Sequence, residues 1–400
     1  MGKDELDPAT VQGVKYLRKI FGLLERLGQS GCQRDVAGNR RLLFSHYAGL
    51  VLLSLFNPTL QSLNGLSELS RLRKVQKLLG GPRVSVGSLS ESVRVFDPAL
   101  LAEIFQELWD QLPESSRRVS NGSIPDELLR RLTAVDGSAL RALSQLVAAA
   151  ADSRAGKWRM HLQFEVWRNV PEQVVVTRDE VGGDADERSV LSHTLRPGRM
   201  YVMDRGYERY ALFEQIVQQD SDYLCRVQHR PVEVLQQRPV SSEAAVAGVL
   251  SDEIVVLGRS RNEVGQITHA VRRIVIAGPG PERQRTDRKA AETITLLTNQ
   301  LETPPECLAA VYRLRWSIEI FFRFFKHVLG CRHLLSHKSQ GVAIQVYCAL
   351  IAALLLSQAM GQTIGRRGFQ LVSLYLQGWA EEDEVLDGLT RLASRAKKIP

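Results

Sequence analysis

Three acidic residues of this chain have the setting that phosphodiester chemistry requires: Asp136 in LTAVDGSAL, Asp204 in YVMDRGY, and Glu319 in YRLRWSIEIFFRFFK. Hard divalent cations prefer oxygen ligands. Carboxylates on separate rigid elements can converge on two such cations about 4 Å apart, which activate a water or hydroxyl and stabilise the leaving oxygen. Singly, each acid has a plainer reading. An Asp after a strand is most simply a turn residue bonding its own backbone, and Glu319 is most simply the i,i+4 partner of Arg315 on a solvated face. A second cluster, Asp184, Asp186 and Glu187, competes with them, but it reads as a glycine-containing loop without a flanking strand, and catalytic groups need rigid support.

The stretch from Thr303 to Gly330 must carry Glu319. Thr303, Pro304, Pro305 and Glu306 have the form of a capping box with proline in the first turn, and Gly330 is a natural stop, so one helix of about seven turns is expected. Tyr312, Arg315, Glu319 and Lys326 then fall within an arc of roughly 60°. Trp316, Phe321, Phe322, Phe324 and Phe325 make most of the remaining surface apolar, so the polar stripe is expected to line a groove between packed elements. Trp316 itself is assigned to core packing, with base stacking as the lesser reading.

The strands that must carry the aspartates lie between two other regions. Residues 10 to 120 read as helices: VKYLRKIFGLLERL, Tyr47 to Phe56 ended by Asn57-Pro58, the basic Ser67 to Leu79, a short helix capped by Ser88 or Ser90, and one opened by Asp97-Pro98. From Leu132 the period changes to two, in LTAVDGSAL, KWRMHLQFEVW, Gln173 to Thr177 and Arg199 to Met203, followed by a helix from Tyr210 to Gln218. YLCRVQ, DEIVVLG, HAVRRIVIAG and TITLLTN read as an inserted β-subdomain. Val342 to Met360 reads as a buried core helix and not a membrane span, and Glu381 to Glu384 as a solvated helix start.

Composition narrows the class. The 400 residues are 44% hydrophobic, enough for two or three packed units, and the net charge of +8 favours a polyanionic partner. Cys32, Cys225, Cys307, Cys331 and Cys348 are odd in number, scattered and without a C-x-x-C, so neither a zinc ribbon nor a disulfide framework is implied and a reducing cytosol fits. Cys331, His333 and His337 lack a second cysteine for a zinc site. MGKDELDPAT has no apolar signal core.

Tyr312, two residues, Arg315, three residues, Glu319, six residues, Lys326 reproduces the Y-R-E-K signature, and with DGS at 136 and DRGY at 204 the chain resembles the cut-and-paste DDE transposases of the insertion-sequence-four type. The likeness is specific over roughly residues 130 to 360 and looser over 45 to 110. It implies an α/β fold: a ribonuclease H-like mixed sheet with flanking helices, an inserted β-subdomain and an N-terminal helical domain. The corresponding parts are 1–125, helical and either DNA-binding or an appendage that only packs on the main domain; 126–222 and 301–365, the two parts of the catalytic domain; 223–300, the insertion; and 366–400, a C-terminal region suited to dimerisation. It implies Asp136, Asp204 and Glu319 as ligands of two Mg2+ ions, with Mn2+ able to substitute. Tyr312, Arg315 and Lys326, with Arg323 beside them, would grip double-stranded DNA at the transposon's terminal inverted repeats.

Such an enzyme hydrolyses one strand at the element's end and joins the freed 3′ hydroxyl to target DNA; in related members that hydroxyl first closes a hairpin on the opposite strand. A homodimer would pair two ends, and a bacterial cytoplasmic, nucleoid-associated location follows. The rival readings are a ribonuclease H-like nuclease without strand transfer, and a DNA-binding regulator that does no chemistry.

Overall fold

Period-two alternation in the middle of the chain produces one nine-stranded sheet. The computed structural model describes residues 22–28, 34–35, 38–55, 60–112, 124–140, 158–178, 183–257, 267–278, 293–327, 329, 331, 334–360, 366–376 and 379–396. Helices precede the sheet: α1 (Phe44–Leu55), α2 (Leu63–Arg71), α3 (Arg73–Leu79), α4 (Val86–Ser92), α5 (Ala99–Asp110) and α6 (Asp126–Arg131). The single helix expected over 67–79 is two, because Leu72 adopts an extended backbone (φ −70°, ψ 128°) between α2 and α3. Ser85, not Ser88 or Ser90, caps α4 by accepting the Ser88 N–H. Asp97 accepts the Ala99 N–H at the start of α5. The Asn57-Pro58 stop lies outside the described residues, as does the expected helix from Val14 up to residue 21; residues 22–28 are helical.

The strands are β1 (Leu132–Leu140), β2 (Trp158–Glu165), β3 (Val170–Arg178), β4 (Met200–Met203), β5 (Asp222–Val227), β6 (Glu233–Arg238), β7 (Val249–Val256), β8 (Val271–Ala277) and β9 (Thr293–Thr298), in the order β3-β2-β1-β4-β5-β9-β8-β7-β6. β1, β2 and β3 are antiparallel neighbours, while β4 and β5 run parallel to β1. That order and sense make the first five strands a ribonuclease H-like sheet. The β-rich stretch read as an insertion adds β6 to β8 and the returning β9 to the same ladder, because β9 pairs with β5. β6 escaped the sequence reading because it is an outer strand without a buried alternate row: five of its six residues are exposed.

Alternation assigns each strand residue to one of two cores. Val135, Tyr201, Met203, Tyr223, Cys225 and Leu297 pack beneath α7 (Glu187–His193) and α8 (Tyr210–Gln218). Ala134, Met200, Val202, Leu224 and Leu296 face the other way. That second face is covered by the N-terminal helices and by α10 (Pro305–Leu314), α11 (Trp316–His327) and α12 (Ser339–Met360), the short α9 (Ser242–Val246) lying between β6 and β7. α12 packs against α1, α5 and β3. Among the described residues no helix is long and apolar enough to cross a membrane. The chain closes with α13 (Arg366–Leu376) and α14 (Glu382–Ala396), packed on each other.

Two buried arginines fasten the parts together. Arg272 on β8, fully buried, pairs both its Nε and Nη2 with Asp252 at 2.7 Å, and its Nη1 donates to the carbonyls of Gln300, Leu301 and Thr303 just ahead of α10. Arg168 donates to Glu165 and to the carbonyls of Trp109 and Leu112, with its guanidinium 4.0 Å from the Trp109 ring centroid. The end of α5 is thereby tied to the β2–β3 turn.

Candidate active site

Strand register brings the two aspartates together. β1 and β4 pair in parallel from Leu132 with Met200 to Val135 with Met203, where β4 ends, so Asp136 and Asp204 follow at the same level of adjacent strands. Both continue the parity of Ala134 and Val202, and so lie on the face covered by α10 and α11. Asp136 was expected at a strand end; instead β1 continues to Leu140 by pairing with β2, and only its pairing with β4 stops at Val135.

The helix carrying Glu319 is built in two pieces. Pro304 stands at the N-cap without a side-chain bond, because the Thr303 hydroxyl goes to Gln300 Oε1 (2.7 Å), so the expected capping box is not formed. At Arg315 the ladder tightens: the Arg315 N–H donates to the Tyr312 carbonyl, the Ile318 N–H to that of Arg315, and the Ser317 hydroxyl to that of Leu314. These i→i+3 bonds separate α10 from α11, where one continuous helix was expected. Gly330 lies outside the described residues.

Arg315 occupies the centre of the site. Its Nη2 donates to Glu319 Oε1 at 2.5 Å, its Nη1 stands 3.9 Å from Asp136 Oδ2, and its guanidinium carbon is 5.9 Å from the Tyr312 ring centroid. Burial alone would lower its pKa, but the Glu319 hydrogen bond and the fields of Tyr312 and Asp204 raise it. Burial lifts the Asp136 carboxyl to about 6; the Gly137 N–H and Arg315 oppose that, and Glu187 and Glu319 add to it. Tyr312 is raised by burial and by Asp204, against Arg315 and Arg226. Arg226 approaches Asp204 Oδ1 to 4.0 Å.

Farther along α11, Arg323 is exposed and Lys326 half-buried. Trp316, assigned to core packing, is 52% exposed, as is its i+4 neighbour Ile320 at 55%. The turn at Arg315 directs the arginine inward and leaves the tryptophan at the surface beside it.

Glu187 was set aside as a loop residue and is in fact a neighbour of the site. It begins α7, behind an Asp186 N-cap that accepts the Arg188 N–H, and pairs with Arg159. It reaches the back of the DGS and DRG segments: a Cβ on Gly137 would lie 2.4 Å from its Oε1, and one on Gly206 3.5 Å from its Oε2. The signal was present as an Asp cap followed by Val190 and Leu191 at helical spacing. Nothing is described of the Asp184 side chain.

Among the described residues, no three Asp, Glu, His or Cys side chains are gathered closely enough to hold a metal ion, since the acids are arranged about Arg315 and not about one another. Their chemistry nonetheless fits a hard cation: the donors are carboxylate oxygens, and Asp204 Oδ1 is buried without a hydrogen bond. Cys331 is fully buried in the core, and His333 lies outside the described residues.

Residues 127–355 match the family described as Transposase DDE domain, more than half of the chain. The chain belongs to that family, whose members are enzymes acting on DNA and generally use divalent metal ions. It is 25% identical over 259 residues to a protein named as transposase y4zB of Sinorhizobium fredii, covering 64% of this chain and 67% of that one. It is 24% identical over 210 residues (52% and 51%) to one named as the transposase for insertion sequence element IS5377 of Geobacillus stearothermophilus. Identity to the transposase for insertion sequence element IS421 of Escherichia coli is 23% over 255 residues (57% and 65%). The alignments thus span about half to two thirds of these relatives. Among solved structures, the piggyBac transposase synaptic complex with hairpin DNA aligns with a TM-score of 0.45 at 10% identity, covering 95% of this chain and 85% of that one.

Proposed function

We propose that this chain is a DNA transposase of the insertion-sequence-four type. It hydrolyses one strand at each end of its element and transfers the freed 3′ hydroxyl to target DNA, using Asp136, Asp204 and Glu319 as ligands for divalent cations. The observation that carries this reading is the shared level of Asp136 and Asp204 on one face, with Arg315 between Asp136 and Glu319. Magnesium, or manganese in its place, would supply Lewis acidity at the scissile phosphate.

The chain's own groups account for the rest. Without a cation, Arg315 balances the carboxylates. With DNA bound, Arg315 and Lys326 hold phosphates near the acids, Arg323 extends that contact along the exposed side of α11, and the buried Tyr312 ring packs beside the Arg315 guanidinium and orients it. The exposed Arg73, Lys74 and Lys77 on α3 support a DNA-binding role for residues 1–125, and pairing two ends calls for a homodimer, for which 366–400 is the candidate contact.

The test is Asp136→Asn with a duplex carrying the element's terminal repeat, in Mg2+. Binding should persist while cleavage disappears; undiminished cleavage would assign the chemistry to other residues. Joined products from a pre-cut end and a plasmid target separate a transposase from a nuclease, and hairpin-length strands on a denaturing gel report the hairpin route.

A further inference from the structure

On the sheet face opposite α10 and α11, an open groove of about 670 Å³ runs beside Asp204. Arg188, Arg205, Arg209 and Arg230 line it, with Glu208 and Gln228. Arg188 is held by Asp186 through two bonds of 2.9 Å, and Arg230 stands 3.8 Å from Glu208, which also accepts the Gln228 N–H. Arg205 and Arg209 are exposed, and among the described residues their side chains make no hydrogen bond or ion pair. Four guanidiniums against one lining carboxylate, immediately after the second aspartate, form a site for a polyanionic backbone.

We infer that this groove holds the phosphate backbone of the DNA that receives the transposon end. The inference rests on the transposase reading above. In an in-line displacement the attacking and leaving oxygens lie on opposite sides of phosphorus, so two DNA segments must reach the carboxylates from different directions. The row from Tyr312 to Lys326 lies on the face of the sheet that carries Asp136 and Asp204, and the arginine groove opens on the other face, directly after Asp204 at the end of β4. Guanidiniums on phosphates do not read sequence, which suits an acceptor duplex. The same chemistry could hold the flank of the donor DNA, and the two sources differ in which reaction fails.

The experiment compares the full chain with the double variant Arg209→Gln/Arg230→Gln, leaving Arg205 beside Asp204 intact. Joining of a pre-cut end to plasmid should fall about tenfold or more, the size expected for lost charge-assisted contacts. Cleavage of an uncut end should stay within about twofold, since those contacts are absent from the first step. Binding to a random-sequence duplex should lose about two from the slope of log K against log salt. The pair Arg209→Lys/Arg230→Lys should recover most of the joining, which excludes a folding defect. Unchanged joining with an unchanged salt slope overturns the inference; cleavage reduced as much as joining overturns it in favour of the donor flank. A parent protein that neither cuts nor joins defeats the transposase reading instead, while the salt slope still decides whether the groove holds a backbone.

Discussion

Gly137 and Glu187 meet on the face of the sheet covered by α7: a Cβ on residue 137 would stand 2.4 Å from Glu187 Oε1 and 2.8 Å from its Cδ. Only a glycine lets the carboxylate pass behind the first aspartate and remain paired with Arg159. Gly137→Ala should therefore cost about 1 to 3 kcal/mol, as overpacking does. In a double-mutant cycle with Glu187→Ala, the coupling should recover at least about 0.5 kcal/mol. Urea denaturation of the four proteins measures it, and strict additivity would mean that the contact is not the cause.

The Asp136 carboxyl gives a pH dependence with a definite sign. Its pKa is raised by burial from 3.8 to about 6, so over that window the folded chain binds a proton that the unfolded chain has released. Stability of the metal-free protein from this group is present in full below the lower value and is lost as pH rises through the upper one, by no more than about 3 kcal/mol. Thermal melts between these pH values should show that decline, and Asp136→Asn should remove it.

Arg315 competes with any cation for the same carboxylates. Arg315→Ala should weaken binding to end DNA by about 1.5 to 3 kcal/mol, the range of a charged hydrogen bond. Without DNA, it should tighten Mg2+ binding in a calorimetric titration. Equal DNA affinity at matched salt would remove the phosphate role, and weaker Mg2+ binding would remove the competition.

Arg272 is a structural test independent of chemistry. Arg272→Ala leaves the buried Asp252 with only Arg238, at 3.8 Å, and the carbonyls of Gln300 and Thr303 ahead of α10 without the Arg272 donor, so a loss of about 3 to 5 kcal/mol is expected. Denaturant unfolding checks this; a loss below about 1 kcal/mol would show that the β-rich part and the helix start are held by other contacts.

Much of this arrangement was legible in the sequence, because period-two segments, turn residues and the Y-R-E-K spacing are local signals. β1 to β5 and β7 to β9 follow from alternation, and the inward-facing Phe321 and Phe325 of α11 from helical spacing. What was missed depends on tertiary partners. The helix break at Arg315 follows from a buried guanidinium drawn to Glu319 and Asp136, contacts that no local window contains. Trp316 was assigned inward by its aromatic neighbours, yet that turn leaves it at the surface. Glu187 looked like a loop acid because its anchors, Arg159 on β2 and the bare backbone of Gly137 on β1, are distant in sequence.

β5 gives one edge to β4 and the other to β9, so the hydrogen-bond ladder runs unbroken from β3 to β6. Through β5, the β-rich arm is therefore part of the same board as the strands that bear Asp136 and Asp204.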